Sequence, residues 1–289
     1  MRRWSAWRVA LLATVLISSS ASAAKAPAGK IRAFVSILPQ AYFIERIGGL
    51  YCDVDVLVGP GQSPATYEPT PRQMAKLGRS QVYFRIGVPF ERGLIPKISS
   101  VFKDLKIVDT RNGVKLRYFR RSRGSQVPDL HIWLDPKLVK IQAATMRKAL
   151  SDIDPAHAAD FEKNLQAFQV DLDRIDARIA SILAPLKGSK LYVFHPAFGY
   201  FCDSYGLTQV AVEIEGKEPG PRQLTGLIEK ARADGVKVIF VQPQFAEKSA
   251  EAIARQIGAA VVLINPLPRD YLKGLEDMAA VIKEALLHK

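Results

Sequence analysis

The sequence predicts an α/β protein of two lobes, each a mostly parallel sheet flanked by helices, joined by one long bracing α-helix. The first observation behind this prediction is a single apolar stripe along residues 154–185. The second is the alternation of short apolar segments with helical segments on both sides of it. We therefore expect a first lobe at 24–153, the linking helix at 154–185 and a second lobe at 186–289, after a leader at 1–23.

The predicted bracing helix has apolar residues at alternating steps of four and three, which places them on one helical face. They are Phe161, Leu165, Phe168, Leu172, Ile175, Ile179 and Ile182. We expect Asp154 to cap the first turn and Pro185 to end a helix of about 45 Å. The narrow stripe leaves a coiled coil as the alternative, but a brace between two lobes agrees better with the flanking α/β pattern. A rigid brace would leave a ligand-binding cleft between the lobes.

Short segments on each side of this helix form the α/β pattern. In the first lobe, strands are predicted at 31–38, 54–58, 81–86 and 105–108, and helices at 42–47, 72–76 and 135–150. In the second lobe, strands are predicted at 190–194, 209–212, 236–241 and 260–264, and helices at 223–233, 248–256 and 275–287. Parallel sheets bind ligands beyond the carboxyl ends of their strands, so residues just past those ends are the candidates for function.

The first 23 residues have the features of a secretory signal. Arg2, Arg3 and Arg8 precede a short apolar run, and a small-residue cleavage site ends at Ala23. The run is too short to span a membrane, and no cysteine stands at the cleavage point to carry a lipid anchor. We expect an exported, periplasmic protein that is not membrane-embedded.

The composition is basic, with a formal net charge of +13. Basic proteins often bind nucleic acid, but these charges are mostly scattered and no nucleic-acid motif is present, so we expect no such partner. The one dense run, Arg117, Arg120, Arg121 and Arg123, is predicted to be a solvated loop, with docking onto an acidic partner as the alternative. Export permits disulfides, but Cys52 and Cys202 lie on opposite sides of the long helix, and we expect unpaired or buried thiols.

Two of the four histidines stand at segment ends in opposite lobes. His131 opens an apolar segment after a loop, and His195 directly follows a predicted strand. Neutral imidazole is the commonest metal ligand in proteins, and two imidazoles could meet across a cleft. For either histidine alone a structural role is equally supported. His157 and His288 are expected to be solvated.

Five motifs in order then resemble a known family. They are SPATYEPTPRQM (63–74), DLHIWLDP (129–136), FHPAFGYF (194–201), EGKEPGPRQL (215–224) and FVQPQF (240–245). Together they resemble the ZnuA/TroA-like metal receptors of ABC importers over nearly the whole mature chain. The resemblance implies two α/β lobes on one long helix, and capture of Zn(II) or Mn(II) between the lobes for delivery to an ABC permease in the inner membrane. It also implies a monomeric receptor.

The resemblance carries over only part of the family's ligand set. His131 and His195 match its second and third histidines, whereas Ala65 stands where it has a first-loop histidine and Asn265 where it commonly has an acid. The family's His-rich acidic loop is replaced by the basic segment 111–124.

Two imidazoles and an amide are a weak set for a dication, which prefers four good donors. An added carboxylate would suit Zn(II), Mn(II) or Fe(II). Glu68, Glu213 and Glu215 are the nearby acids, and we take Glu68 and Glu215 as candidate ligands beside Asn265. Structural alternatives remain: Glu68 could cap a helix, and Glu215 could pair with Lys217.

The sequence therefore predicts an extracytoplasmic solute-binding protein that takes up a divalent metal, zinc first, with manganese or iron as alternatives. The same architecture binding a metal chelate or small anion is the second hypothesis, because Ala65 leaves room and the charge is positive. A zinc hydrolase is the third, since two histidines with an open position resemble a catalytic site. No H-E-x-x-H or G-x-S-x-G motif is present, so we do not expect an enzyme.

Overall fold

The fold is taken from a computed structural model that describes residues 29–120, 126–213, 220–245 and 247–287. The predicted leader, the candidate ligand Glu215 and His288 lie outside these ranges. Within them, no helix combines the length and the apolar character that crossing a membrane requires.

The first lobe is built on a parallel sheet with strand order β2-β1-β3-β4. Its strands are β1 (Ile31–Ile37), β2 (Cys52–Val58), β3 (Val82–Arg85) and β4 (Lys106–Asp109). Its helices are α1 (Leu38–Gly48), α2 (Pro71–Leu77), α3 (Glu91–Val101) and α4 (Pro136–Ile153). A small antiparallel hairpin, β5 (Tyr118–Arg120) and β6 (Gln126–Pro128), lies between β4 and α4.

The second lobe repeats the plan with strand order β10-β9-β7-β8, again parallel. Its strands are β7 (Lys190–Val193), β8 (Thr208–Ala211), β9 (Val238–Val241) and β10 (Ala260–Leu263). Its helices are α6 (Gly199–Tyr205), α7 (Pro221–Ala233), α8 (Glu247–Ile257) and α9 (Tyr271–Leu287). The predicted pair of parallel-sheet lobes is confirmed, although the sequence pattern did not indicate α3, α6 or the hairpin.

The long helix α5 (Ala158–Leu183) joins the lobes and buries the predicted stripe. Ile182 is half-buried, and Leu183 takes its place in the core. The ends differ from the prediction. Asp154 makes no capping hydrogen bond, because a 3-10 turn at Pro155–His157 comes first, and Pro185 lies inside a closing 3-10 turn at Ala184–Leu186.

The lobes share one apolar core. Helix α5 packs on α1, α4 and α9, and the buried cluster runs from β1 through α5 to α9. Trp133 of the first lobe is hydrogen-bonded to the second: its Nε1 donates to the Pro266 carbonyl (2.7 Å), and its carbonyl accepts from the Tyr271 hydroxyl (2.7 Å). The stripe on α5 is therefore covered by the chain itself, and the coiled-coil alternative is wrong.

Candidate metal centre

His131 is held by the segment that leads from β6 to α4. Its Nδ1 lies 2.8 Å from Oδ1 of the buried Asp129, and its backbone N–H donates to the same oxygen (3.0 Å). A carboxylate only accepts hydrogen bonds, so Nδ1 carries the proton. In the neutral ring this leaves the lone pair on Nε2, which is the arrangement that outer carboxylates impose on metal-binding histidines.

His195 is fixed in the same way just beyond β7. Its Nδ1 lies 2.6 Å from Oε2 of Glu213, which is nearly buried beyond β8. Its backbone N–H donates to Gln242 Oε1 (3.0 Å), and its ring stacks on Phe245 with 4.8 Å between centroids. Burial lowers the pKa of His195, more than the bond to Glu213 raises it. The ring is therefore neutral near pH 7, with Nε2 again unprotonated.

The Nε2 atoms of the two rings face each other. Nε2 of His131 lies 3.3 Å from Nε2 of His195. This separation fits two arrangements: one ring donates Nε2–H to the other, or two neutral rings share a cation. Two imidazole nitrogens on a tetrahedral zinc ion, each 2.0–2.1 Å from it, are about 3.3 Å apart. The side chains are 17% and 22% exposed, so an ion can reach them.

The loop between β2 and α2 carries two of the predicted positions. Ala65 and Glu68 are both exposed there. Glu68 does not cap α2; Thr70 does so through a capping box with Gln73. The role of Glu68 as a ligand stays a prediction.

Asn265 lies just beyond β10 and is exposed. Its Oδ1 accepts hydrogen bonds from the Leu267 N–H (3.0 Å) and from Gln244 Nε2 (3.2 Å). It lines a cavity of about 370 Å³ whose lining includes neither histidine. Among the residues that the structure describes, no three or more His, Cys, Asp or Glu side chains are grouped to hold a metal. The structure thus brings the two histidines together, and the further ligands stay predictions.

The roles of two carboxylates did not follow from the sequence. The sequence places Asp129 in a motif but indicates no role for it, and it indicates Glu213 only as a nearby acid that could compensate for the lost ligands. Both contact Nδ1 of a histidine and so orient it. The usable signals were the Asp-x-His spacing at 129–131 and the position of Glu213 after β8, the strand that pairs with β7.

Two positions that are expected to be solvated are only partly exposed. His157 is one-third exposed: its Nδ1 lies 2.6 Å from Asp154 Oδ2, and its ring stacks on Tyr51 at 3.9 Å. Arg117 is also one-third exposed and pairs with Asp129 and Asp203. Arg121 and Arg123, from the same basic run, lie outside the described residues.

The two cysteines agree with the prediction. Cys52 and Cys202 are unpaired and buried. Burial raises the pKa of each thiol to about 12, so neither is a thiolate that would bind metal at neutral pH.

Comparisons with known proteins point to one family. The family model described as "Zinc-uptake complex component A periplasmic" matches residues 34–285. A crystal structure of a ZnuA deletion mutant with zinc bound has a TM-score of 0.83 and 40% identity, covering 89% of this chain and 98% of that one. The high-affinity zinc uptake system protein ZnuA of Bacillus subtilis is 25% identical over 92% of this chain and 89% of its own length. The iron-binding protein YfeA of Yersinia pestis is 26% identical over 84% of this chain and 80% of its own length.

The two-lobed fold and its facing imidazoles define a metal-binding solute-binding protein of a metal transporter, a receptor class rather than an enzyme class. Within that class, the chain belongs to the ZnuA family, whose model spans nearly all of the described residues.

Proposed function

We propose that this chain is the periplasmic receptor of an ABC importer, that it captures Zn(II) between its lobes, and that it delivers the ion to a permease in the inner membrane. Support for the ion comes from the facing Nε2 atoms of His131 and His195, 3.3 Å apart. Support for the transport role comes from the family and from relatives named as zinc uptake proteins. The leader predicted at 1–23 supports export.

The spacing of the imidazoles carries the proposal. Each ring donates Nδ1–H to a carboxylate, so each presents a lone pair from Nε2 toward the same point. Two neutral hydrogen-bond acceptors at this separation repel each other, and a cation bound between them removes the repulsion. Imidazole suits Zn(II) well, and it also suits Fe(II). The Yersinia relative named as iron-binding makes Fe(II) the second candidate.

The remaining coordination positions are proposed to be filled by acidic side chains. Glu68 and Glu215 are the candidates, because a dication in a partly dry cleft needs negative charge. Asn265 is the weaker candidate, since its Oδ1 already accepts two hydrogen bonds. Changing Glu68 or Glu215 to Gln should weaken binding if that acid is a ligand, and Asn265→Ala should then have little effect.

The test is a titration of the metal-free protein with Zn(II), Mn(II) and Fe(II), the last without oxygen. His131→Ala and His195→Ala should each weaken Zn(II) binding by more than the roughly 10- to 100-fold that loss of an outer partner costs. His157→Ala is the matched control, because it removes another histidine whose Nδ1 contacts an aspartate. Equal affinities of wild type and the His131→Ala, His195→Ala double variant would contradict the metal site. Binding that appears only with a metal chelate would favour the alternative ligand.

The lost ligand positions offer a gain-of-function test. Ala65→His would supply an imidazole where the resemblance places one, and Asn265→Asp would supply a negative charge. Each should tighten Zn(II) binding in the same titration, with Ala65→Gln as the control of similar size. If neither change tightens Zn(II) binding, the remaining ligands come from other residues.

A further inference from the structure

A guanidinium lies behind the metal centre and touches both lobes. Arg117 Nη1 lies 3.3 Å from Oδ2 of Asp129, and Arg117 Nε lies 2.8 Å from Oδ2 of Asp203 on α6. Asp129 is fully buried, whereas the side chain of Asp203 is 60% exposed. Arg117 therefore joins the acid that orients His131 to a helix of the second lobe.

Asp129 divides its two oxygens between the histidine and the arginine. Oδ1 accepts from His131, and Oδ2 accepts from Arg117. The backbone reinforces this arrangement, since the Asp129 N–H donates to the Arg117 carbonyl (2.8 Å). A buried carboxylate held at both oxygens cannot rotate away from His131 without losing a charged partner.

The second lobe is shaped to receive this arginine. The Tyr200 hydroxyl accepts a hydrogen bond from the backbone N–H of Arg117 (2.7 Å) and donates one to the backbone carbonyl of Asp129 (2.9 Å). The guanidinium carbon of Arg117 lies 5.7 Å from the centroid of the Tyr200 ring. Gly199 provides the space: a Cβ there would lie 1.5 Å from Arg117 Nη1 and 2.7 Å from Asp129 Oδ2. Helix α6 begins four residues after His195, so this contact aligns the segments that carry both imidazoles.

We propose that Arg117 is a positioning residue for metal binding, which acts through Asp129 on His131 and ties that histidine to the lobe that carries His195. This inference rests on the proposed metal-binding function. Loss of Arg117 frees one oxygen of Asp129 and removes the ion pair to Asp203. The two imidazoles are then held less firmly in the geometry that binds an ion. Loss of an outer partner of this kind lowers metal affinity roughly 10- to 100-fold.

The experiment is a double-variant cycle on the full mature chain, with Zn(II) alone as the probe and a competing chelator to set the free concentration. Arg117→Gln should weaken Zn(II) binding at least about tenfold, and Arg117→Lys should restore part of it by retaining a charge near Asp129. In an Asp129→Asn background, Arg117→Gln should reduce Zn(II) affinity little further. Asp129→Asn has already removed the carboxylate through which Arg117 acts on His131.

Two arginines provide matched controls. Arg46, about as exposed as Arg117, forms an ion pair with Asp171 (2.6 Å), and Arg269 forms an ion pair between the lobes with Glu45. Arg46→Gln and Arg269→Gln should leave Zn(II) affinity unchanged, which separates a general loss of stability or lobe contact from the effect of Arg117. Thermal unfolding of each metal-free variant checks that it folds.

Gly199→Ala tests the same contact from the other lobe, because the added methyl group pushes apart the guanidinium and the Asp129 carboxylate while both residues are kept. It should weaken Zn(II) binding as Arg117→Gln does. Wild-type affinity in a folded Arg117→Gln variant would overturn the inference, as would a loss of the same size with and without Asp129. Failure of the wild type to bind Zn(II) would instead contradict the proposed function.

Discussion

At the scale of single residues, the carboxylates behind the histidines determine what the imidazoles can bind. Glu213→Gln replaces an acceptor with an amide that can also donate to Nδ1, so the proton of His195 is no longer confined to that nitrogen. We expect Zn(II) affinity to fall about 10- to 100-fold. Glu251→Gln is the control, since Glu251 pairs with Arg255 at the surface. An unchanged affinity in Glu213→Gln would show that His195 does not depend on this partner.

The buried thiols provide a second test at this scale. A pKa of about 12 for Cys52 and Cys202 leaves only about one part in ten thousand as thiolate at pH 8, and the thiolate is the reactive form. Native protein should react very slowly with a thiol reagent at pH 8, and faster as the pH rises toward 12. In denaturant both thiols should react at once. Rapid labelling of native protein at pH 8 would contradict their burial.

At the scale of elements, α5 is held by the apolar stripe rather than by its caps. Phe168 is fully buried and contacts the rings of Tyr42 and Phe43, with centroids 6.0 and 5.8 Å away. Phe168→Ala should lower the free energy of unfolding by about 3–5 kcal/mol, since it removes ring contacts and leaves a cavity. Val170→Ala, two residues on and 57% exposed, should change it by less than about 0.5 kcal/mol. Denaturant titration of both variants measures the difference, and similar values would show that the stripe does not hold the helix.

At the scale of the whole molecule, the continuous core limits how far the lobes can move. The buried cluster runs through α5 into both lobes, and Trp133 is bonded to the second lobe through Pro266 and Tyr271. Opening the molecule widely would expose this apolar surface to water. Small-angle scattering should therefore give the same radius of gyration with and without Zn(II), within error. A marked contraction on binding would indicate a flexible hinge in place of a brace.

The sequence by itself determined the two parallel-sheet lobes and the buried face of α5, because strand length, helical spacing and capping residues act over short distances. Asp135 is an example: its side chain accepts from the Lys137 N–H as its place before Pro136 predicts. The family and the two central histidines also followed from short motifs. The ends of α5 did not, because Asp154 is drawn to His157 rather than to the helix N–H groups.

Only the tertiary structure decided how the site is assembled. His131 and His195 are 64 residues apart, and their Nε2 atoms meet because β6 and β7 end at the junction of the lobes. The orientation of the two rings depends on Asp129 and Glu213, and Arg117 comes from a basic run that gave no sign of a buried partner. Such contacts join residues whose distance along the chain is unrelated to their distance in space. Local patterns determine which segments form, and packing around α5 determines which side chains meet.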